Sequence, residues 1–140
     1  LYDRGVALLT RERVWRQALL NQLALAPHDT ILDVGCGTGS LAILMKQREP
    51  QARVIGLDPD PSALAIARAK AEAAGVAIEW AQGFAADAAA LGPVDKAVAS
   101  LVFHQVPLAG KSSGLTAMFA SVRDGGMICI ADYAMPRNWA

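Results

Sequence analysis

Apolar residues recur along this chain with two periods, and the alternation between them lays out its elements. From Arg4 to Ala26, Val6, Leu9, Val14, Leu20 and Leu23 fall at roughly helical spacing among helix-forming residues, which predicts a first helix. The polar break Ala26–Asp29 ends it, and TILDVG (Thr30–Gly35) follows as a short apolar run of the kind a buried strand shows. Ser40–Glu49 reads as a helix closed by Pro50, and Arg53–Asp58 as a second strand. Asp60 and Pro61 have the character of an N-cap and a first-turn proline, opening an alanine-rich helix that ends at Gly75. The same reading predicts a third strand over Val76–Ala81, a short helix over Ala85–Leu91 and a fourth strand within Val94–Phe103. A weaker helical segment, Leu115–Arg123, leads through Gly125 and Gly126 into a fifth apolar run, Met127–Tyr133.

Strands alternating with helices predict an α/β fold with a doubly wound, mostly parallel sheet covered on both faces. At 140 residues the chain is one domain by length, an N-terminal helical segment over 1–26 followed by a core over 27–140. Lysines plus arginines equal aspartates plus glutamates at 13 each, so no overall field draws the chain to nucleic acid or anionic lipid. The apolar content of 54% contains no run long enough to span a bilayer and no secretory signal. Cys36 and Cys129 fit neither a metal spacing nor a disulfide framework, which reads as two reduced thiols in a cytoplasmic protein.

The chemistry concentrates in GCGTG, where Gly35, Gly37 and Gly39 stand just behind Asp33. Glycines cluster where backbone must turn sharply or meet something closely. In doubly wound sheets ligands bind beyond the carboxyl ends of the strands, and a helix start offers unpaired N–H groups and a positive dipole end there. Asp58 closes the second strand roughly 20 residues on, where such folds place an acid for two ribose hydroxyls. An adenosine-type cofactor fits, and NAD is one candidate. The dinucleotide fingerprint G-x-G-x-x-G/A, however, meets Ser40 at its third position, with Gly39 one residue early. A diphosphate is also ill served by a carboxylate such as Asp33, whereas a cationic ligand is well served.

LDVGCGTG resembles the first motif of the class I S-adenosylmethionine-dependent methyltransferases, and VIGLDPDPSAL the second. AQGFA (Ala81–Ala85), SLVFHQVP (Ser100–Pro107) and SVRDGGMICIADY (Ser121–Tyr133) resemble the third, fourth and fifth, and YDR (Tyr2–Arg4) a segment that precedes the core in members acting on small molecules. The resemblance implies a Rossmann-like sheet of order 3-2-1-4-5 and methyl transfer from S-adenosylmethionine to a small-molecule acceptor. Asp33 and the backbone of Gly35, Cys36, Gly37 and Gly39 would hold the methionine part. Asp58 would take the ribose hydroxyls, Pro59, Gly83 and Phe84 would lie beside the adenine, and Ser100 near the reacting end. Phe84 departs from the family, which often has aspartate there to accept from the adenine amino group; Asp87 is the one nearby substitute. Asp124 stands where a proline is common. The chain also ends after the fifth strand where the family sheet continues with an antiparallel pair, so the expectation is a C-terminally incomplete core. Its fifth strand, apolar at MICI, would then lie at an edge open to a further segment, a second copy or association.

Methyl transfer from a sulfonium needs no metal and little acid–base help, so positioning in a dry pocket carries most of the acceleration. His104, just past the fourth strand, is the single candidate base, set against a role closing the pocket or bonding backbone. His28 reads as a surface residue, Trp15, Trp80 and Trp139 as packing with a pocket lining as the alternative, and Arg11, Arg13 and Arg16 as a solvated helix face with an acidic substrate as the alternative. Two other functions compete: a non-catalytic binding module on the same fold, and an NAD-linked oxidoreductase.

Overall fold

The computed structural model describes residues 2–132, with side chains from residue 11 onward; Tyr133 and Trp139, and the side chains of Tyr2–Arg4, Val6 and Leu9, lie outside the described set. Helix α1 (Tyr2–Leu23) leads into β1 (Thr30–Val34), α2 (Ser40–Arg48), β2 (Arg53–Asp58), α3 (Pro61–Ala73) and β3 (Glu79–Gln82). A 3-10 segment (Ala85–Leu91), β4 (Val94–Ser100), a short 3-10 turn (Phe103–Gln105), α4 (Leu108–Ser121) and β5 (Val122–Ala131) follow. The five strands form one sheet in the order β3-β2-β1-β4-β5, every pair parallel, as expected.

The pleat of β1 sorts its side chains into two cores. Leu32 and Val34 join Ile55, Leu57, Ala97 and Ala99 against the 3-10 segment and α4, where Ala88, Ala117 and Met118 are buried. Ile31 faces the other way, joining Val54 and Val98 against Leu19, Leu20 and Leu23 of α1 and Leu41 and Met45 of α2. Asp33 has the parity of Ile31, so it points beneath α1 at the carboxyl end of the central strand.

Three elements differ from the sequence pattern. β3 begins at Glu79 rather than Val76, because Gly75 closes α3 with φ +68 and the Val76 N–H bonds back to the Ala71 carbonyl. α4 starts at Leu108, well before Leu115. Its glycines and serines read as loop, yet a Cβ on Gly114 would stand 2.9 Å from both Ala85 and Phe103, so the glycine is what lets the helix lie close. β5 starts at Val122, ahead of the apolar run, through a register break opposite Val94–Lys96 where Gly125 takes φ +76. Ala85–Leu91 is helical as expected but of the tighter 3-10 kind.

Candidate functional site

The loop between β1 and α2 is tied down by backbone. The N–H groups of Gly35 and Cys36 both donate to the Leu57 carbonyl at 2.7 and 3.0 Å, and Gly39 N–H donates to the Cys36 carbonyl at 2.9 Å. Gly35, Gly37 and Gly39 all have left-handed φ, at +69, +54 and +81°. Their surroundings differ. A Cβ at Gly35 would stand 2.4 Å from Val102, and one at Gly39 2.7 Å from Trp80, whereas one at Gly37 would meet nothing within 4 Å. Two of the glycines serve packing, and the third faces open space.

Both oxygens of Asp58 accept backbone N–H groups, from Gly37 and from Asp60, each at 2.9 Å. The carboxylate thus braces the glycine loop against the start of α3, and each oxygen keeps a second lone pair for a ligand. Pro59 is exposed beside it. Gly83 N–H donates to the Asp58 carbonyl at 3.1 Å, which sets the end of β3 next to the end of β2. Phe84 follows with its side chain 68% exposed. Asp87 is committed to the Phe84 N–H at 2.8 Å, capping the 3-10 segment.

Asp33, Gly35, Cys36, Gly37 and Ser100 line one cavity of about 210 Å³, so the structure brings these five sequence candidates together. Gly39 stands behind them at the N-cap of α2, while Asp58, Pro59, Gly83 and Phe84 lie outside the cavity at the ends of β2 and β3. Asp33 is 2% exposed, and its Oδ2 is buried without a hydrogen-bond partner. Burial, then the charge of Asp58, raises its pKa to about 7; Arg16 and the Ala42 amide act the other way. Cys36 is pushed up by burial and by both aspartates, which makes it an inert thiol.

Helix α1 supplies two walls, one from the alternative reading of Trp15 and one from an arginine read mainly as solvated. Trp15 and Arg16 line the Asp33 cavity. The Arg16 Nε is buried with no partner, while Nη2 pairs with Glu12 at 2.8 Å and the guanidinium lies over the Trp15 ring, 5.5 Å from its centroid. Placed three residues before the buried Leu19, Arg16 shares its helix face, a spacing legible in the sequence. A larger groove of about 580 Å³ runs outside α2 between Arg13, Arg16 and Lys70, but it holds neither strand-end acid. Trp80 packs on Gly39 and Gly56 as expected, and His28 is exposed.

His104 sits in the 3-10 turn after β4. Its ring Nδ1 is 2.8 Å from Asp132 Oδ1, and its backbone N–H donates to Asp132 Oδ2 at 3.0 Å. Asp132, just past β5, was not singled out from the sequence. Among the described residues no His, Cys, Asp and Glu cluster suits a metal ion, and no helix is long and apolar enough to cross a membrane.

Comparison with known proteins agrees with this geometry. Residues 31–126 match the family model described as a methyltransferase domain. Trans-aconitate 2-methyltransferase of Azoarcus sp. is 34% identical over 121 residues, covering 86% of this chain and 44% of that protein. Among solved structures, a SAM-dependent methyltransferase from Geobacter sulfurreducens in complex with S-adenosyl-L-homocysteine superposes with TM-score 0.66 at 25% identity, covering 82% of this chain and 46% of the other. Precorrin-6y C5,15-methyltransferase from Geobacter metallireducens superposes with TM-score 0.70 at 19% identity over 82% of this chain and 60% of its own, a likeness of fold. The chain thus spans about half the length of these relatives. With its parallel sheet, its glycine loop over an acid-ended second strand and a family match running from β1 into β5, the chain belongs to the methyltransferase domain family.

Proposed function

We propose that the chain is the cofactor-binding core of an S-adenosylmethionine-dependent methyltransferase acting on a small-molecule acceptor. The observation that carries this reading is the unpartnered, buried Oδ2 of Asp33 at the wall of a cavity that Gly37 leaves open. A native structure rarely strands a buried carboxylate oxygen unless a ligand completes it. Opposite it, the buried Arg16 Nε has an N–H with no acceptor. A donor and an acceptor in one small cavity suit the ammonium and carboxylate of an amino acid, which S-adenosylmethionine carries at one end. A diphosphate would bring only negative charge to Asp33, which disfavours a dinucleotide.

In this reading Asp33 and Arg16 hold the amino-acid end, the Gly35–Gly39 backbone lies along it, and Asp58 takes the ribose hydroxyls with its remaining lone pairs. Pro59, Gly83 and Phe84 flank the adenine, the exposed Phe84 ring offering a face for packing in place of a hydrogen bond. The cofactor, when bound, supplies an electrophilic methyl group on a sulfonium. Ser100, at the end of β4, stands at the cavity wall toward the acceptor side. The chain contributes position and exclusion of water, at best about 7–11 kcal/mol of the barrier. The relatives named above act, by their names, on trans-aconitate and precorrin-6y, both small molecules.

Isothermal titration with S-adenosylhomocysteine, with NADH as the competing ligand, tests the reading. We expect low-micromolar binding of the first, about −7 to −8 kcal/mol, and none of the second. NADH binding with no S-adenosylhomocysteine binding would refute it.

A further inference from the structure

The groove of about 580 Å³ outside α2 is lined by two kinds of side chain from different helices. Helix α1 contributes Arg13, Arg16 and Gln17, α2 contributes Ile43 and Leu44, and α3 adds Lys70. The face of α1 that carries these arginines is the one that buries Leu20 and Leu23 one and two turns later, since residues three, four and seven apart share a stripe. An arginine cannot follow Leu20 into the core without losing its hydration, so the helices close at Leu20 and leave a groove at Arg13 and Arg16. The charge there is uncompensated. No carboxylate is among the side chains that line the groove. Lys70 Nζ donates to two neutral hydroxyls, Ser40 Oγ at 2.7 Å and Thr38 Oγ1 at 3.3 Å. Among the described residues Arg13 has no ion-pair partner, and Glu12, 2.8 Å from Arg16 Nη2, is the single acid that meets these three cations. Acids and bases balance over the whole chain, at 13 each, so the excess is a local segregation. A solvated face gains nothing from gathering like charges, whereas a face that receives an anion does.

We propose that this groove is a second small-molecule site, taking an organic dianion (a dicarboxylate or a phosphate monoester) on a compact apolar body. Its volume falls within the range of small-molecule pockets, roughly 300–1,000 Å³. Three lining cations against the one carboxylate of Glu12 leave an excess of positive charge that a dianion balances and a monoanion does not. The planar guanidinium groups of Arg13 and Arg16 match the paired oxygens of a carboxylate or phosphate, and Lys70 meets the same groups as a point charge. Ile43 and Leu44 give the apolar body a surface to cover. Arg16 and Ser40 line the Asp33 cavity as well, so the two spaces are neighbours, but neither Asp33 nor the glycines of the loop belong to the groove. The occupant is therefore a ligand other than the cofactor, and the site stands independently of the methyltransferase reading.

Isothermal titration of the cofactor-free chain with isophthalate, phenyl phosphate, benzoate and the neutral isophthalamide tests the site. We expect a dianion to bind one to one with Kd of about 0.1–1 mM at low salt, and to weaken as salt is added. Benzoate should bind at least about 10-fold more weakly and isophthalamide not at all. The tighter of the two dianions names the acid group. Arg13→Gln and Lys70→Gln alter residues that do not line the Asp33 cavity, and each should cost the dianion about 10-fold or more in affinity. Lys111→Gln, which removes the same charge from α4, should leave it unchanged. Arg13→Gln should also keep S-adenosylhomocysteine affinity within about twofold, because Arg13 lies outside the Asp33 cavity. Absence of binding by either dianion, equal binding of isophthalamide, or an equal loss in Lys111→Gln overturns the site. Displacement of the dianion by S-adenosylhomocysteine would make groove and cavity a single site and overturns it too. Failure of S-adenosylhomocysteine to bind the parent, with the dianion response intact, refutes the methyltransferase reading and leaves this one standing.

Discussion

Two loops at the carboxyl edge of the sheet, each braced by one aspartate, take their shape from different residues. In the loop after β1 the N–H groups bond to the Leu57 and Cys36 carbonyls and to the Asp58 carboxylate, and the shape comes from three left-handed glycines. The turn after β4 combines backbone bonds, from Leu101 N–H to the Ala131 carbonyl at 2.7 Å and from the Gln105 and Val106 N–H groups to the Val102 and Phe103 carbonyls, with a long-range side-chain anchor. It opens with Leu101 at φ +57, a conformation that costs a non-glycine residue about 1–3 kcal/mol, and is pinned by Asp132 from the far end of β5. They meet where Val102 sits over Gly35. A loop of backbone bonds cannot easily change its shape, which suits a ligand that never varies. A turn with no glycine requirement, anchored at long range by one side chain, can be re-specified by replacing a few residues, which would suit an acceptor site.

The largest effect expected comes from Asp33, the buried carboxyl group at the end of β1 just before the first loop. Burial favours its neutral form, so the folded chain holds the proton more tightly than the unfolded one, with a pKa of about 7 against 3.8. Its contribution to stability is full below pH 3.8 and is lost as pH rises through 7, on the order of 4 kcal/mol in total. Denaturant unfolding of the parent and Asp33→Asn between pH 4 and pH 8 should show the variant gaining stability relative to the parent by most of that amount. The same variant should lose cofactor affinity, because a cationic ligand selects the ionised carboxylate. Binding of S-adenosylhomocysteine to the parent at pH 6 should release close to one proton, read from titrations in buffers of different ionisation enthalpy. A pH-independent difference between the two proteins would show that Asp33 carries no such strain.

The glycines sharpen the comparison next. Gly35→Ala drives a methyl group into Val102 in addition to the left-handed strain, so we expect a stability loss of about 2–5 kcal/mol. Gly37→Ala has only the strain, about 1–2 kcal/mol, but places its methyl in the space the ligand needs. Calorimetry should therefore show Gly35→Ala failing mainly in Tm and Gly37→Ala mainly in S-adenosylhomocysteine affinity. Equal losses in both measurements for both variants would erase the distinction between a packing glycine and a ligand-facing one.

Asp58→Ala comes third. It strips the acceptor from the Gly37 and Asp60 N–H groups as well as from any ligand hydroxyls, and we expect binding to weaken by about 1.5–3 kcal/mol. Adding 2′-deoxy and 3′-deoxy analogues of S-adenosylhomocysteine separates the two roles. If Asp58 acts on the ribose, the analogues should lose affinity in the parent and lose nothing further in the variant.

The same contrast explains what could be read from the sequence. The central strands and the glycine loop were legible because glycine, proline and strand-end aspartates act where they stand, while the strand order came with the family resemblance. β2 and the Asp60–Pro61 opening of α3 fall at the expected positions. What was missed depends on contacts distant in sequence. The start of α4 was hidden because Gly110 and Gly114 look like loop residues until Val106, Ala85 and Phe103 are seen packed against them. Arg16 reads as one of several arginines on a polar helix until Asp33 is placed beneath it. Asp132 carries no local signal at all; its role exists only because parallel pairing sets the end of β5 beside the end of β4.

His104→Ala should give the smallest effect on fold and cofactor, and for that reason it is the sharpest check on the separation of the two loops. The ring lies at the protein surface, with its side chain 31% exposed, and the alanine variant keeps the backbone N–H that Asp132 accepts. Stability should change by no more than about 1 kcal/mol, the range for a partly exposed ion pair. S-adenosylhomocysteine affinity should stay within about twofold, since none of the groups at the Asp33 cavity is altered. Turnover should nevertheless fall, by about 10²–10⁴-fold for a general base. A variant that loses cofactor affinity as severely as Asp58→Ala would mean that the turn after β4 helps hold the cofactor, through Val102 and Gly35, and that the two loops form a single site. A variant that keeps both affinity and turnover would leave the His104–Asp132 pair with the structural task of tying the end of β4 to the end of β5.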